Sequence, residues 1–204
     1  VTINKNIKTI LVTSAEMDEG KTTIICNLAK CFSELEGVRV LLIDCDFRKR
    51  GVSRYFGIEN SFGVSDIVFG NNKKSECIKR VGDLDIITSG GVPSNTSILL
   101  NSQSMKDLVS KLREEYDYVF IDSPPICRLN DACIITQYVD GTIIVNAAKA
   151  IDSKGAKITL DKLNKVGANI IGVVLNKFKA EKYSYYSNYY GYSNYYGEHK
   201  HKLF

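Results

Sequence analysis

The residues with the clearest chemical potential lie between Ser14 and Thr23, where the chain reads S-A-E-M-D-E-G-K-T-T. This stretch follows a short apolar run and precedes apolar residues at helical spacing, so a strand, a loop and a helix are expected in that order. Backbone N–H groups and the dipole at the start of such a helix favour bound phosphate. We predict that a nucleotide is bound by consecutive residues of this loop: Glu19, Gly20, Lys21, Thr22 and Thr23.

Within this loop, Lys21 would reach the β- and γ-phosphates and the Thr22 hydroxyl would contact a magnesium ion. The usual pattern begins with glycine five residues before Gly20, where this chain has Ala15. The alternative interpretation is a glycine turn beside a solvated lysine. The strand before the loop and the helix after it favour the phosphate-binding loop.

Three aspartates close two other apolar runs. Asp44 and Asp46 end L-L-I-D-C-D, and Asp122 ends F-I-D-S-P-P. Residues two apart in an extended backbone point the same way, so Asp44 and Asp46 can face one magnesium-bearing pocket. We predict that Thr22, Asp46 and Asp122 bind magnesium and that Asp44 receives or orients a hydroxyl proton, although the sequence leaves the roles of Asp44 and Asp46 interchangeable. Taken singly, each aspartate is also typical of a turn or helix cap.

These residues must be positioned by strands that alternate with helices along the whole chain. Strands are predicted at Lys8–Thr13, Arg39–Asp44, Leu84–Thr88, Tyr118–Asp122, Thr142–Asn146 and Asn169–Asn176. Helices are predicted at Thr22–Glu36, Ser104–Glu115, Asp131–Tyr138 and Ser153–Val166. The strand runs are continuously apolar, which is typical of parallel strands covered on both faces. The pattern predicts an α/β fold with a doubly wound, mostly parallel sheet and a ligand at the carboxyl ends of its strands.

Composition sets the broad class of protein. The chain has 204 residues and a net charge of +4, which does not require a nucleic-acid partner. Its six cysteines form no C-x-x-C pair and lie mostly in apolar runs, so free, buried thiols in a reducing cytosol are expected. No run approaches the roughly 20 apolar residues of a membrane span, and no signal peptide is apparent.

Two further positions are less specific. Arg48 follows the second predicted strand, in F-R-K-R, and is either a solvated turn residue or a contact to the phosphates or a neighbouring subunit. Asn176 closes the last predicted strand, where an asparagine is commonly a turn residue. We include both as candidate nucleotide-binding residues.

The end of the chain is unusually rich in tyrosine. Eight of the twelve tyrosines lie between residues 183 and 196, separated only by Ser, Asn and Gly, and this segment is expected to be disordered. It could be a sticky low-complexity tail or a stacking platform for nucleic acid, but few basic residues accompany the aromatic ones. Next to an ATP site, a cluster of phosphate acceptors is the better interpretation. The predicted acceptors are Tyr183, Tyr185, Tyr186, Tyr189, Tyr190, Tyr192, Tyr195 and Tyr196.

The three motifs together resemble those of a known family. A-x(3)-E-G-K-T-T, L-L-I-D-C-D-F-R and F-I-D-S-P-P are similar to the Walker A, A′ and B motifs of the bacterial tyrosine kinases of capsule and exopolysaccharide synthesis. The resemblance implies a P-loop NTPase of the partition-ATPase and bacterial tyrosine kinase group that uses ATP and Mg²⁺ to phosphorylate its own tyrosine cluster. It implies a kinase domain over residues 1–177 and a tyrosine-rich tail over residues 178–204. Related ATPases contact the adenine base near Asn176.

The resemblance also implies partners. Family members form rings whose subunits phosphorylate one another's tails, and they respond to a transmembrane activator of the polysaccharide co-polymerase type. A cognate tyrosine phosphatase reverses the phosphorylation. The expected location is the cytoplasmic face of the membrane, through that activator. Family members usually have a helix with E-x-x-R-x-x-R before the first strand. Val1–Lys8 is too short to contain it, so an N-terminally truncated kinase domain is expected. Ring formation by this chain is therefore in doubt.

A partition- or positioning-type ATPase switch is the main alternative, and an ATP-dependent carrier or scaffold is a third. The positioning ATPases carry a second lysine five residues before the loop lysine, where this chain has Glu16. That difference and the tyrosine cluster favour the kinase.

Overall fold

The computed structural model describes residues 7–148 and 153–178. Its strands are β1 (Thr9–Ser14), β2 (Val40–Asp44), β3 (Ile78–Val81), β4 (Leu84–Ile87), β5 (Tyr118–Asp122), β6 (Gly141–Ala147) and β7 (Ile170–Asn176). Its helices are α1 (Lys21–Ser33), α2 (Gly51–Phe56), α3 (Val64–Phe69), α4 (Lys74–Cys77), α5 (Thr96–Asn101), α6 (Gln103–Glu115), α7 (Asp131–Ile135) and α8 (Ser153–Lys165).

The seven strands form one sheet in the order β3-β4-β2-β5-β1-β6-β7. Every neighbouring pair is parallel except β3 and β4, which form an antiparallel edge. The predicted doubly wound, mostly parallel α/β sheet is therefore confirmed. In this arrangement the carboxyl ends of β1, β2 and β5 lie side by side, so the loops after them meet at one edge of the sheet.

The apolar strands are continuous because the sheet is covered on both faces. In β1, Leu11 belongs to the core that includes Leu108 and Leu112 of α6. Its neighbour Val12 points to the opposite core, which includes Ile25 of α1. The buried strands therefore carry apolar residues on both of their faces.

Most predicted elements are found within a few residues of their expected bounds, with two differences among the helices. Helix α1 ends at Ser33 rather than Glu36, and the chain turns as the Val38 N–H donates to the Leu35 carbonyl. The predicted helix over residues 131–138 is α-helical only to Ile135 and continues as a 3-10 turn over Thr136–Tyr138.

Five short elements were not predicted: α2, α3, α4, α5 and β3. None exceeds six residues, which is too short for an apolar repeat to emerge from the sequence. Helix α2 matters most here, because it follows the β2 loop directly and its first residue, Gly51, packs against Thr22.

All six cysteines are free, as expected, and four are buried; Cys31 is exposed, contrary to the prediction of buried thiols. Among the described helices, none has the length and apolar content needed to cross a membrane. The predicted tyrosine tail lies outside the described residues, as do the first six residues.

Candidate functional site

The loop between β1 and α1 has the backbone shape of a phosphate-binding loop. Gly20 adopts a left-handed conformation (φ 93°), and α1 begins at the next residue, Lys21. A Cβ atom on Gly20 would lie 2.0 Å from the amide nitrogen of Asn176, so only glycine fits here. The first N–H groups of α1 have no helical acceptor and are available to an anion.

Glu19 and Asn176 hold this loop in place. The buried Glu19 carboxylate accepts the N–H of Glu16 at 2.8 Å and the N–H of Ala147, at the end of β6, at 3.2 Å. The Asn176 amide donates to the Glu19 carbonyl at 2.9 Å. These contacts engage both side chains with backbone groups of the loop and of β6.

The sheet register brings two of the predicted carboxylates together. Asp44 of β2 pairs directly with Asp122 of β5. Both Asp44 oxygens accept backbone N–H groups, from Asp46 at 2.9 Å and from Val52 at 3.2 Å. Asp44 is thereby fixed in orientation, beneath the loop that carries Asp46.

Lys21 lies between the remaining two carboxylates. Its ammonium group is 3.2 Å from Asp46 Oδ2 and 3.8 Å from Asp122 Oδ1. Asp122 Oδ2 accepts the Thr22 hydroxyl at 2.7 Å, whereas Asp122 Oδ1 is buried without a hydrogen-bond partner. Lys21, Thr22, Asp46 and Asp122 therefore converge, as the sequence predicts.

This arrangement suits a magnesium ion. A buried carboxylate oxygen without a hydrogen bond needs a partner, and Mg²⁺ prefers oxygen ligands such as Asp122 Oδ1 and the Thr22 hydroxyl. Within residues 7–148 and 153–178, no three His, Cys, Asp or Glu side chains form a metal cage. Mg²⁺ commonly takes one or two carboxylates, with waters and substrate phosphates completing its shell.

The crowded charges perturb one another. Burial, followed by the nearby Asp122 carboxylate, raises the pKa of Asp44 to about 8. Burial also raises the pKa of Asp122, although Lys21 and the Thr22 hydroxyl act in the opposite direction. Burial alone would lower the pKa of Lys21, but the Asp122 and Asp46 carboxylates outweigh it, and the net effect raises that pKa. Lys21 stays charged and partly neutralises the acidic group.

A cavity of about 460 Å³ opens over the loop and is called here the phosphate cavity. It is lined by Asp18, Gly20, Lys21, Thr22, Thr23, Lys49, Gly51, Arg54, Tyr55 and Lys177. The far wall of this cavity was not predicted from the sequence; it is formed by α2 and by Lys49 and Lys177. The basic run F-R-K-R signalled Lys49, but nothing in the sequence marked Arg54 and Tyr55, which reach the cavity because α2 turns back over Thr22.

Arg48 does not line the phosphate cavity. Its guanidinium pairs with Asp131 at 2.8 Å, and Arg48 lines a second, neighbouring cavity. That Arg48 contacts phosphate stays a prediction. The solvated-turn alternative is incomplete, since Asp131 is buried and anchors the Arg48 side chain.

Glu16 stands where the positioning ATPases have their second lysine. Its carboxylate accepts the Arg128 Nε–H at 2.9 Å, from the loop after β5. The position is therefore occupied by an acidic residue that links two loops of this same chain.

Comparison with known proteins identifies the family. A family model described as an AAA domain matches residues 7–175. Tyrosine-protein kinase YwqD of Bacillus subtilis (strain 168) is 33% identical over 191 residues, covering 93% of this chain and 80% of YwqD. Tyrosine-protein kinase CpsD of Streptococcus pneumoniae is 34% identical over 191 residues, covering 90% of this chain and 84% of CpsD.

A solved structure of a tyrosine kinase domain has the same fold. The kinase domain of the Escherichia coli tyrosine kinase ETK superposes with a TM-score of 0.79 at 30% identity, covering 83% of this chain and 67% of that one. The loop between β1 and α1 and the paired aspartates lie within residues 7–175, which the family model matches. This chain therefore belongs to the family of bacterial tyrosine-protein kinases.

Proposed function

We propose that this protein transfers the γ-phosphoryl group of ATP to tyrosine hydroxyls in residues 183–196 of a second copy, and thereby regulates capsule or exopolysaccharide synthesis and export. The observation that carries the proposal is Asp122, whose Oδ2 holds the Thr22 hydroxyl while its buried Oδ1 lacks a hydrogen bond beside Lys21. This is the geometry expected of a carboxylate and hydroxyl that share a magnesium ion with nucleotide phosphates.

The phosphate cavity is the nucleotide site in this proposal. The N–H groups at the start of α1 and the Lys21 ammonium neutralise the phosphates, and Thr23 lies at the cavity wall. Thr22, Asp46 and Asp122 would hold Mg²⁺, which supplies charge neutralisation for the γ-phosphoryl group. Glu19 and Asn176 keep the loop in the shape that binds it.

Asp44 is the proposed proton acceptor for the tyrosine hydroxyl. Its carboxylate is fixed by two backbone N–H groups, and burial raises its pKa, so it holds a proton more readily than an ordinary aspartate. Phosphoryl transfer otherwise depends on positioning and electrostatics, which the loop and Lys21 supply.

The proposed acceptors follow β7 along the chain. Strand β7 ends at Asn176, at the edge that carries the loop, and Tyr190 lies fourteen positions further along the chain. An extended chain of that length spans about 45 Å, enough to reach its own site or a neighbour's. A segment anchored so close to its own site must reverse sharply to align a hydroxyl with the γ-phosphate, which favours transfer to a second copy. Residues 1–177 are the proposed kinase domain and residues 178–204 the substrate tail.

The proposed partners follow from family membership. They are further copies of the chain in a ring, a transmembrane activator of the polysaccharide co-polymerase type, and a tyrosine phosphatase that reverses the modification. The proposed location is the cytoplasmic face of the membrane, where the activator would hold the kinase.

The basic test is the substitution Lys21→Met with Lys157→Met, an exposed lysine of α8, as the matched control. Incubation with ATP and Mg²⁺ should increase the intact mass of the wild type and of Lys157→Met by multiples of one phosphate, reversibly with phosphatase. Lys21→Met should remain unmodified. Labelling of Lys21→Met at the wild-type rate would refute the site.

Transfer between copies is tested by mixing the Lys21→Met chain with an active chain that lacks residues 183–204. Phosphate on the inactive partner, increasing with protein concentration, supports the proposal. An unlabelled partner, beside labelling of the intact wild type that is independent of concentration, would show transfer within one chain.

A further inference from the structure

A second cavity, called here the proline groove, adjoins the phosphate cavity. Its volume is about 270 Å³, and its lining residues are Met17, Asp18, Lys21, Asp46, Arg48, Lys49, Pro124, Pro125, Arg128 and Leu129. Asp18, Lys21 and Lys49 line both cavities. A phosphate chain bound at Lys21 would therefore be exposed to a second molecule that enters through the groove.

The walls of the groove suit an aromatic ring. Met17, Pro124, Pro125 and Leu129 provide apolar surface, and Met17 is itself largely exposed. A thioether packs favourably against aromatic rings, and a tyrosine joins an apolar body to a polar tip. With the ring between these walls, the hydroxyl would point toward Lys21 and Asp46, at the inner end of the groove.

Three basic side chains lie around the groove, and all three are paired with acidic side chains. Arg48, Lys49 and Arg128 surround it, and each contacts a carboxylate: Asp131, Asp18 and Glu16, respectively. Arg48 is anchored, because Asp131 is buried.

Two of these three ion pairs have both side chains exposed to solvent. In the pairs of Lys49 with Asp18 and of Arg128 with Glu16, both side chains are at least 42% exposed, so the attraction is weak and another anion can compete.

We propose that the proline groove binds a tail segment that already carries one phosphotyrosine, with its phosphate on Lys49 and Arg128 and a neighbouring, unmodified tyrosine in the groove. This inference rests on the proposed function and concerns the order of its steps. The tail offers three adjacent tyrosine pairs, Tyr185–Tyr186, Tyr189–Tyr190 and Tyr195–Tyr196. A first phosphate thus primes the transfer to the next tyrosine.

The charge of the tail is the reason for proposing a phosphorylated segment in the proline groove. The unmodified tail between residues 183 and 196 has no charged side chain, so the basic side chains around the groove have nothing to bind there. Each phosphotyrosine adds about −1.5 to −2 charge and accepts charge-assisted hydrogen bonds from arginine and lysine. In each transfer the tyrosine oxygen bonds to the γ-phosphorus, the bond from that phosphorus to the β–γ bridging oxygen breaks, ADP leaves, and the phenolic proton passes to Asp44.

The test uses the full chain, at a fixed low concentration, with three synthetic peptides of sequence 183–196. One peptide is unmodified, one carries a phosphate on Tyr190, and one has Tyr190→Glu. The expected result is a kcat/KM about tenfold higher for the phosphorylated peptide than for the unmodified one, mainly through a lower KM. The Tyr190→Glu peptide, with a single negative charge, should fall between them.

Variants assign the effect to these basic side chains. Arg128→Gln should lower the ratio of primed to unprimed kcat/KM several-fold, whereas Glu16→Gln, which removes the competing carboxylate, should raise it. Arg80→Gln, an exposed arginine of β3 remote from the groove, is the matched control and should leave both rates unchanged.

Equal rates for primed and unprimed peptides in the wild type would overturn the inference while leaving the kinase assignment intact, since the unmodified peptide is still phosphorylated. A ratio that survives Arg128→Gln and Lys49→Gln would also overturn it. Failure of the Lys21→Met comparison would instead refute the proposed function itself.

If the enzyme ignores free peptides, its own tail provides the readout by intact mass over time. Priming predicts unmodified and multiply phosphorylated chains with few intermediates. A stepwise progression through one, two and three phosphates would refute it.

Discussion

The substitution Glu19→Gln tests how much the Glu19 carboxylate stabilises the loop between β1 and α1. The two oxygens of the buried carboxylate accept the N–H groups of Glu16 and Ala147, at 2.8 and 3.2 Å. Glutamine has nearly the same shape but only one side-chain oxygen. One of the two N–H groups must therefore lose its acceptor and face an NH₂ group.

The expected cost follows from that single loss. A buried donor left without an acceptor costs about 1–3 kcal/mol. For a protein of this size, each kcal/mol shifts Tm by about 2–4 °C, so Tm should fall by about 2–12 °C. ATP affinity should fall as well, because the loop that Glu19 holds between β1 and α1 must be reordered when nucleotide binds.

The matched control is Glu16→Gln, three residues away in the same loop. The pair of Glu16 with Arg128 is exposed on both sides (47% and 62%), so its loss should cost no more than about 1 kcal/mol. Urea unfolding and thermal melts in nucleotide-free buffer with EDTA compare the two variants, and calorimetry gives their ATP affinities. Equal stability losses in the two variants would refute the bracing role of Glu19.

Three further predictions concern the aspartates and α2. Burial raises the pKa of Asp44 from 3.8 to about 8, so its protonated form adds stability that is complete below pH 3.8 and is lost as pH rises through about 8. In urea titrations between pH 5 and pH 9 without Mg²⁺, the free energy of unfolding of Asp44→Asn should therefore fall less steeply with pH than that of the wild type. An unchanged slope would contradict this prediction. Asp44→Asn should retain more ATP affinity in calorimetry than Asp46→Asn, although both reduce phosphoryl transfer severely; equal affinity losses would remove the distinction between base and metal ligand. Gly51→Ala places a Cβ 2.8 Å from Thr22 Cγ2, so the Thr22 hydroxyl should be displaced. Mg²⁺-dependent ATP binding should weaken, with little change in Tm. Unchanged binding would show that α2 can shift freely.

The sequence by itself determined the local parts of this protein. Continuous apolar runs such as Tyr118–Asp122 predict buried parallel strands because both faces of such strands are covered, and the sheet agrees. Gly20 and Lys21 mark the start of α1 because the left-handed turn and the free N–H groups are properties of a few consecutive residues. The aspartates were predictable as site residues because Asp44 and Asp122 end strands, Asp46 follows two residues after β2, and strand ends meet at one edge.

Only the tertiary structure decided how those parts meet. The pairing of Asp44 with Asp122 depends on the register of β2 against β5, which no local pattern encodes. The partner of Arg48 is Asp131, 83 residues away, and Arg48 lines the proline groove.

Glu19 shows the same limit most clearly. The sequence predicts that it contacts a nucleotide, whereas the structure shows its carboxylate accepting the N–H of Ala147, 128 residues along the chain. Contacts of this kind depend on the docking of loops from separate strands. They are set by the packing of the whole sheet, because no short stretch of sequence contains both partners.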